Sequence, residues 1–362
     1  MLTADSSPSP QDAPEFADVA GNPRPERLEG GWFGLRGGKR LRYAIVEPER
    51  ASRGTVLLLQ GRNEAIEKYF ETISDLTARG FTVAIFDWRG QGGSDRMVRN
   101  RSKGHIDSVR TYVRDLEAFT KDVVLPRCPA PRVILAHSLG GLVALRATPR
   151  LAGQYERMVL SAPLVALRPP MSHLYPLTQF MRWIGLGRVP LRRVERSGAR
   201  ASLARNPLTS DRARFERNRA IVESAPELFV TSLTAGWLAA CMKAARRLDD
   251  SDAIAKLHTP TLFVTAGEDR VVDSRAASRL AWRMRSGHAI DLPGARHELL
   301  QEADEHRELF LAAFEAFVGS LMPEPAEVLG PPPEALAEAL EAAVPARQSE
   351  PSEAPMATSI SR

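Results

Sequence analysis

Five short, largely apolar runs constrain this chain more than any other feature. They are TVLLL (55–59), TVAIF (82–86), RVILA (132–136), RMVLS (157–161) and TLFVTAG (261–267), with helical periodicity between them. A strand with one wet face alternates apolar and polar residues, whereas an uninterrupted run suits a strand covered on both faces. Such strands alternating with helices predict a mostly parallel sheet flanked by helices. Helices are expected at about 65–79, at about 107–124, after Ser138, at about 274–285, and in a last segment to about 321. HAIDL (288–292) reads as a further strand. WFGLR and RLRYAIV flank Gly37-Gly38 and read as a hairpin.

The alternation is broken once, between RMVLS and TLFVTAG. Residues 164–250 are helix-rich, with Leu177, Phe180, Met181 and Ile184 at one-face spacing and a second apolar helix expected around Leu228–Met242. They read as a helical cap inserted into a core made of residues 28–163 and 251–322. The two ends have a different composition. Residues 1–27 hold five prolines and little apolar content, and residues 323–362 combine Pro331-Pro332-Pro333 with an Ala/Glu stretch. Both are expected to be disordered.

Charge separates these regions further. The cap carries fifteen Arg/Lys against seven Asp/Glu, and residues 320–362 carry two against seven. The overall +5 therefore conceals a basic middle and an acidic end. No zinc-finger, RNP or helix-turn-helix pattern accompanies the basic segment, so nucleic acid is a poor reading of it. No apolar run approaches the ~18–20 residues that span a bilayer, and the N-terminus lacks the pattern of a signal peptide. Cys128 and Cys241 stand far apart, which predicts no disulfide framework and suits a reducing compartment. The expectation is a cytoplasmic protein, with the cap arginines able to approach the inner face of a membrane.

The chemistry is concentrated at VILAHSLGG (133–141). A strand, then x-Ser-x-Gly-Gly, then a helix is the pattern of a nucleophile elbow, whose turn is so tight that small residues must stand two before and two after the serine. Here they are Ala136 and Gly140; Ala136 departs from the usual glycine by one methyl group. Such a turn presents Ser138 at a helix N-terminus, where negative charge is favoured.

A serine needs a histidine base oriented by a carboxylate. In a sheet of this kind with such an elbow, the expected chain order is Ser, acid, His, each just past a strand. Asp269 follows the penultimate strand and His297 the last. Glu268 and Asp273 are alternative acids; loop spacing favours Asp269, and Asp273 reads as a helix N-cap. His137 reads as structural. No HExxH or clustered His/Asp set suggests a metal, and no cofactor is expected. For the two backbone donors of an oxyanion hole, the expected N–H groups are those of Leu139, directly after the serine, and Arg62, in the loop after TVLLL.

With these residues in hand, the chain resembles the monoacylglycerol lipase and bacterial lysophospholipase family of α/β-hydrolases, the serine aminopeptidase-like hydrolases, over about residues 30–320. The resemblance rests on GRNEAIEKY, FDWRGQGGSDR, GHIDSVRTYVRDLEAF, AHSLGG, AGEDRVVD and GARHELLQE. Ser138, Asp269 and His297 fall on the family's triad motifs, and Leu139 and Arg62 on its oxyanion positions. Gln60-Gly61-Arg62-x-Glu64 replaces the His-Gly of the animal lipases and resembles the bacterial lysophospholipases. The resemblance implies a serine esterase acting through an acyl-enzyme on a small lipid ester, with a lysophospholipid first, and a monoacylglycerol lipase or a general carboxylesterase as alternatives. A proline aminopeptidase and a non-catalytic binding protein are more distant readings. Phe180, Trp183 and Trp237 are expected to line an acyl channel in the cap.

Overall fold

The computed structural model describes residues 13–193 and 202–321. An eight-stranded sheet holds β1 (Leu28–Gly34), β2 (Arg40–Val46), β3 (Gly54–Leu59), β4 (Phe81–Phe86), β6 (Arg132–His137), β7 (Arg157–Ser161), β10 (Thr261–Ala266) and β11 (Gly287–Leu292). Its spatial order is β1-β2-β4-β3-β6-β7-β10-β11. The hairpin partners β1 and β2 run antiparallel, β2 pairs antiparallel with β4, and every later neighbour is parallel. Two-residue and four-residue strands, β5 (Lys103–Gly104) and β8 (Pro190–Arg193), join β9 (Ser232–Thr234) in a small second sheet.

The apolar runs are continuous because both faces of the sheet are packed. In β3, Val56 and Leu58 face a core cluster with Phe70, Ile73, Phe310 and Phe314, while Leu57 and Leu59 face Tyr112, Leu116, Phe119 and Leu142. Those partners come from α1 (Phe70–Ala78) and α8 (Asp304–Gly319) on one side, and from α2 (Val109–Phe119) and α3 (Leu139–Ala147) on the other. The cap contributes α4 (Tyr175–Trp183), α5 (Arg212–Ser224) and α6 (Ala235–Arg246), and α7 (Ser274–Arg283) follows β10.

Strand order positions the site. β3 lies between β4 and β6, so the chain leaves β3 on one side and returns on the other. The carboxyl ends of strands that flank such a switch point open a crevice. The loops carrying residues 60–64, 138 and 269 all leave strands at that edge.

Two expectations need correction. Residues 1–27 do not form a tail throughout: from residue 13 onward the arm docks on the core. Phe16 is only 8% exposed, its ring lies 6.5 Å from Phe70, and the Arg42 guanidinium lies 4.9 Å above it. Proline-rich composition hid a single aromatic anchor. Residues 1–12 and 323–362 of the expected tails, and 194–201 of the expected cap, lie outside the described residues. The second cap helix is also shorter than its apolar content suggested. Ser232–Thr234 forms β9 instead, and the Thr234 side chain accepts from Trp237 N–H to start α6.

Candidate active site

Ser138 sits at the end of β6 as the N-cap of α3, with φ 49° and ψ −109°. A non-glycine residue rarely adopts this conformation, and surrounding structure must hold it there. The small residues explain themselves by space. A Cβ on Gly140 would lie 2.3 Å from the Leu59 carbonyl oxygen, and one on Gly141 2.7 Å from Pro163 Cβ. Ser138 N–H donates to the Ser161 carbonyl (3.0 Å), and the Ser138 carbonyl accepts from Leu164 N–H (2.9 Å), clamping the turn against β7.

The three residues singled out for a relay meet here. Ser138 Oγ lies 3.0 Å from His297 Nε2, and His297 Nδ1 lies 2.7 Å from Asp269 Oδ2. Asp269 Oδ1 accepts from the N–H groups of Val271 (2.7 Å) and Val272 (2.9 Å). Burial pushes the Asp269 carboxyl up, but the His297 imidazole and these two N–H groups outweigh it and hold it below its ordinary value. An ionised carboxylate therefore fixes the tautomer in which Nδ1 donates and Nε2 is free to accept from the serine hydroxyl. Asp273 instead caps α7, accepting from Ala276 N–H at 3.1 Å, and Glu268 is exposed.

The loop after β3 is held by its own side chains. Trp88 Nε1 donates to the Gln60 carbonyl (2.8 Å), and Gln60 Nε2 donates to Asp87 Oδ1 (2.8 Å). Gly61 N–H is taken by Glu64 (2.5 Å) and Asn63 N–H by Gln91 (2.5 Å). Arg62 N–H between them has no acceptor among the described residues. A Cβ on Gly61 would lie 2.8 Å from both Glu64 Oε2 and His137 Cδ2, so the loop approaches the elbow only through a glycine. Leu139, the first residue of α3, has a backbone N–H with no partner inside its helix. Both residues line the same cavity as Ser138 and His297.

Sequence reasoning missed a buried charge cluster directly beside this relay. Lys68 Nζ lies 2.7 Å from Glu64 Oε1 and 2.6 Å from Glu298 Oε1, and Tyr69 Oη donates to Glu64 Oε2 at 2.6 Å. Burial pushes Glu64 up, yet Lys68, His137 and the hydrogen bonds hold it down at about 2. Burial pushes Lys68 down, and the two glutamates more than reverse this. Glu298 moves the other way, raised by burial and by Glu64. His137 Nδ1 donates to the Ser161 carbonyl (3.1 Å), and its ring lies 4.9 Å from that of His297. Burial pushes the His137 imidazole down to about 4, so it is neutral at physiological pH. His137 lines the cavity and packs beside the His297 ring. Glu64, His137 and Glu298 converge closely enough to ligate a metal, but the Lys68 ammonium already occupies the cation position between the carboxylates. The signal was present in the acid–base spacing of GRNEAIEK and in the glutamate after His297. Neither is interpretable without knowing that the two segments meet.

The cavity above Ser138 holds about 1040 Å³. Its walls are largely apolar, with Leu164, Leu167, Met171, Leu174, Phe229 and Trp237 among them. Of the three aromatics expected to line it, only Trp237 does. Phe180 and Trp183 lie on the outer face of α4, 55% and 81% exposed. One-face spacing identified an apolar stripe on α4 correctly; spacing cannot tell whether a stripe faces inward or outward. The cap is tied to the relay by Arg296, whose Nη1 donates to the carbonyls of Leu203, Asn206 and Thr209, and by Arg168, which donates to the Asp269 carbonyl.

An α/β-hydrolase whose serine stands on a strained elbow beside a histidine–aspartate pair defines the class of this protein. Residues 50–304 match the serine aminopeptidase, S33 family, and the chain belongs to that family. Lysophospholipase L2 of Escherichia coli (strain K12) is 32% identical over 288 residues, covering 72% of this chain and 79% of that protein. A monoacylglycerol lipase of Mycolicibacterium smegmatis is 25% identical, covering 74% and 90%. Among solved structures, a soluble variant of the monoglyceride lipase of Saccharomyces cerevisiae in complex with a substrate analogue superposes with a TM-score of 0.65 at 20% identity, covering 81% and 96%. That likeness concerns the fold.

Proposed function

We propose that this carboxylic ester hydrolase removes the single acyl chain of a lysophospholipid, with Ser138 as nucleophile, His297 as base and Asp269 as its orienting carboxylate. Ser138 Oγ bonds to the acyl carbon as its proton passes to His297 Nε2. The Leu139 and Arg62 N–H groups receive the developing oxyanion. The glycerol oxygen leaves with the proton from His297, giving an acyl-enzyme. Water then attacks with His297 again as base, releasing a fatty acid and restoring Ser138. Each oxyanion donor contributes about 10²–10³ in rate in enzymes of this type.

The observation that carries the substrate class is the mixed lining of the cavity. Beside its apolar walls stand Arg62 and Arg270, neither of which has a hydrogen-bonded or ion-paired acid among the described residues. An acyl chain suits the walls, and a phosphodiester suits two guanidiniums without an acid partner, that of Arg62 resting 5.6 Å from the Trp237 ring centre. The name of the Escherichia coli relative supports the same reading, while that of the mycobacterial relative makes a monoacylglycerol the alternative. A free amino terminus would need an available pocket carboxylate, and Glu64 and Glu298 are both engaged by Lys68. Purified protein assayed on lysophosphatidylcholine, lysophosphatidylethanolamine, monoacylglycerol and a short nitrophenyl ester tests the assignment. Arg270→Gln should raise KM for the lysophospholipids and leave that for monoacylglycerol in place. Equal KM changes for both would favour the monoacylglycerol.

The same reading places the cap against a lipid surface. No helix among the described residues is long and apolar enough to cross a membrane. Leu177, Phe180, Trp183 and Ile184 are nevertheless exposed on and just after α4, with Arg182 and the exposed Arg188 close by in the chain. We propose that this stripe makes weak peripheral contact with anionic bilayers, where each nearby Lys or Arg contributes up to about 1 kcal/mol. Co-sedimentation should be stronger with anionic than with neutral vesicles and should weaken with salt. Indifference to both would remove the claim.

A further inference from the structure

A second cavity of about 610 Å³ opens between α2, α3 and α6, on the face of α6 opposite the site of Ser138. Trp237 and Leu238 of α6 line the first cavity, while Ala240, Lys243 and Ala244 line the second. Its floor is apolar and buried, formed by residues such as Val113, Leu145 and Leu248. Its rim is cationic, with seven Arg/Lys against three aspartates.

The rim differs from the arginine sites that pack in the core. Arg42 is held by Glu67 and Asp87, Arg214 by Glu71 and Asp304, and Arg89 by Asp115. Arg110, Arg146 and Arg247 have no hydrogen-bonded or ion-paired acid among the described residues. Two of the three rim aspartates are already engaged: Asp250 accepts from Asp252 and Ala253 N–H, and Asp107 meets His105. Burial and the nearby charges of Arg247, Arg110 and Arg150 all push the half-buried Arg146 guanidinium below its ordinary value, with only Asp250 opposing. Arg150 is paired with Glu117 and Arg182 donates to the Asp107 carbonyl, which leaves the half-buried Arg146 beside the exposed Arg110 and Arg247, and an anion joining them would relieve their mutual repulsion. The N-terminus of α2, with Ser108 and Val109 also on the lining, adds its partial positive charge.

We propose that this cavity is a second ligand site for a small phosphate-bearing anion, its oxygens received by Arg146 and Arg247 and its carbon skeleton resting on the apolar floor. Arginines brought to one cavity by α3 and by the end of α6 suit a multiply charged tetrahedral group, which offers acceptor oxygens in several directions. The volume suits a small molecule or a single lipid headgroup. The site stands apart from the ester chemistry, and its test does not depend on the substrate proposed above.

Two probes distinguish the sources of the phosphate: inorganic pyrophosphate, and phosphatidylcholine vesicles with or without phosphatidylglycerol. With the full chain, pyrophosphate should bind saturably and raise Tm beyond sodium chloride at equal ionic strength. The double variant Arg146→Gln/Arg247→Gln should weaken that binding about ten-fold or more, since each lost guanidinium removes charge-assisted hydrogen bonds. Lys243→Glu, on the exposed rim, should weaken it without touching the floor, and Arg279→Gln on α7 should leave it intact. Binding of phosphatidylglycerol vesicles that needs Arg146 and Arg247, without pyrophosphate binding, would identify the anion as a lipid headgroup. Pyrophosphate binding that survives in the double variant and in Lys243→Glu would overturn the proposal. So would a wild type that shows no pyrophosphate binding and whose preference for phosphatidylglycerol vesicles is unchanged in the double variant.

Discussion

The core edge around Ser138 and the cap above it are built by different means. At the core edge, each chemical group hangs from the end of a strand whose register is fixed by its neighbours: Leu59 pairs with Ala136, and His137 with Ser161. The cap meets the core through the two-residue pairing of β5 with β9, through loops and through single side chains. Arg296 grips residues 203–209, Arg214 reaches Glu71, Asp304 and the Glu302 carbonyl, and Asn63 Oδ1 accepts from Val230 N–H. A site on strand ends is positioned by many cooperating backbone bonds, whereas a cap held by a short strand pairing and side-chain tethers can change its lining with less disturbance to them. On the function proposed above, the core edge would carry the chemistry and the cap the choice of substrate.

The sharpest way to break this comparison is to strike the relay. Ser138→Ala and His297→Ala should each lower kcat by about 10³ or more, and fluorophosphonate labelling should vanish in Ser138→Ala. Asp269→Asn should cost about as much, because it loses the tautomer, while Asp273→Asn should lose only the α7 cap, about 1 kcal/mol of stability. The opposite ranking of the two aspartates would show that Asp273 orients the histidine.

Next in size is the charge cluster. Lys68→Met leaves Glu64 and Glu298 buried side by side, which should cost about 3–5 kcal/mol in denaturant unfolding. A loss below about 1 kcal/mol would mean that the cluster is not part of the core framework.

A smaller effect is pH-dependent. His137 titrates at about 4 in the fold and near 6.5 unfolded, so the unfolded chain binds the extra proton between those values. Its contribution is present above pH 6.5 and is lost as pH falls toward 4, by up to about 3 kcal/mol. Glu64, held at about 2, adds a second loss from about pH 4.5 downward. His137→Gln should flatten the first window and leave the second, as read from urea midpoints across pH.

The smallest expected effect separates the two cap aromatics. Trp237→Ala should shift acyl-chain preference by about ten-fold in kcat/KM, since it enlarges the wall above the serine. Trp183→Ala should leave hydrolysis of a short soluble ester unchanged and reduce only vesicle binding. Equal effects on the soluble ester would place Trp183 on the substrate path.

The legibility of each feature follows from how local its cause is. Apolar runs, the elbow spacing Ala136-x-Ser138-x-Gly140 and the Asp273 cap are decided within a few residues, so the sequence alone specifies a mostly parallel α/β sheet, its strands, and the three residues that meet in the relay. The docking of Phe16, the outward turn of Phe180 and Trp183, the Glu64–Lys68–Glu298 cluster and the uncompensated arginines around Arg146 depend on which surfaces meet across the fold. Lys68 and Glu298 are 230 positions apart in the chain and 2.6 Å apart in space. Charge balance, burial and the direction an apolar stripe faces are properties of such meetings, and only the tertiary structure brings the partners together.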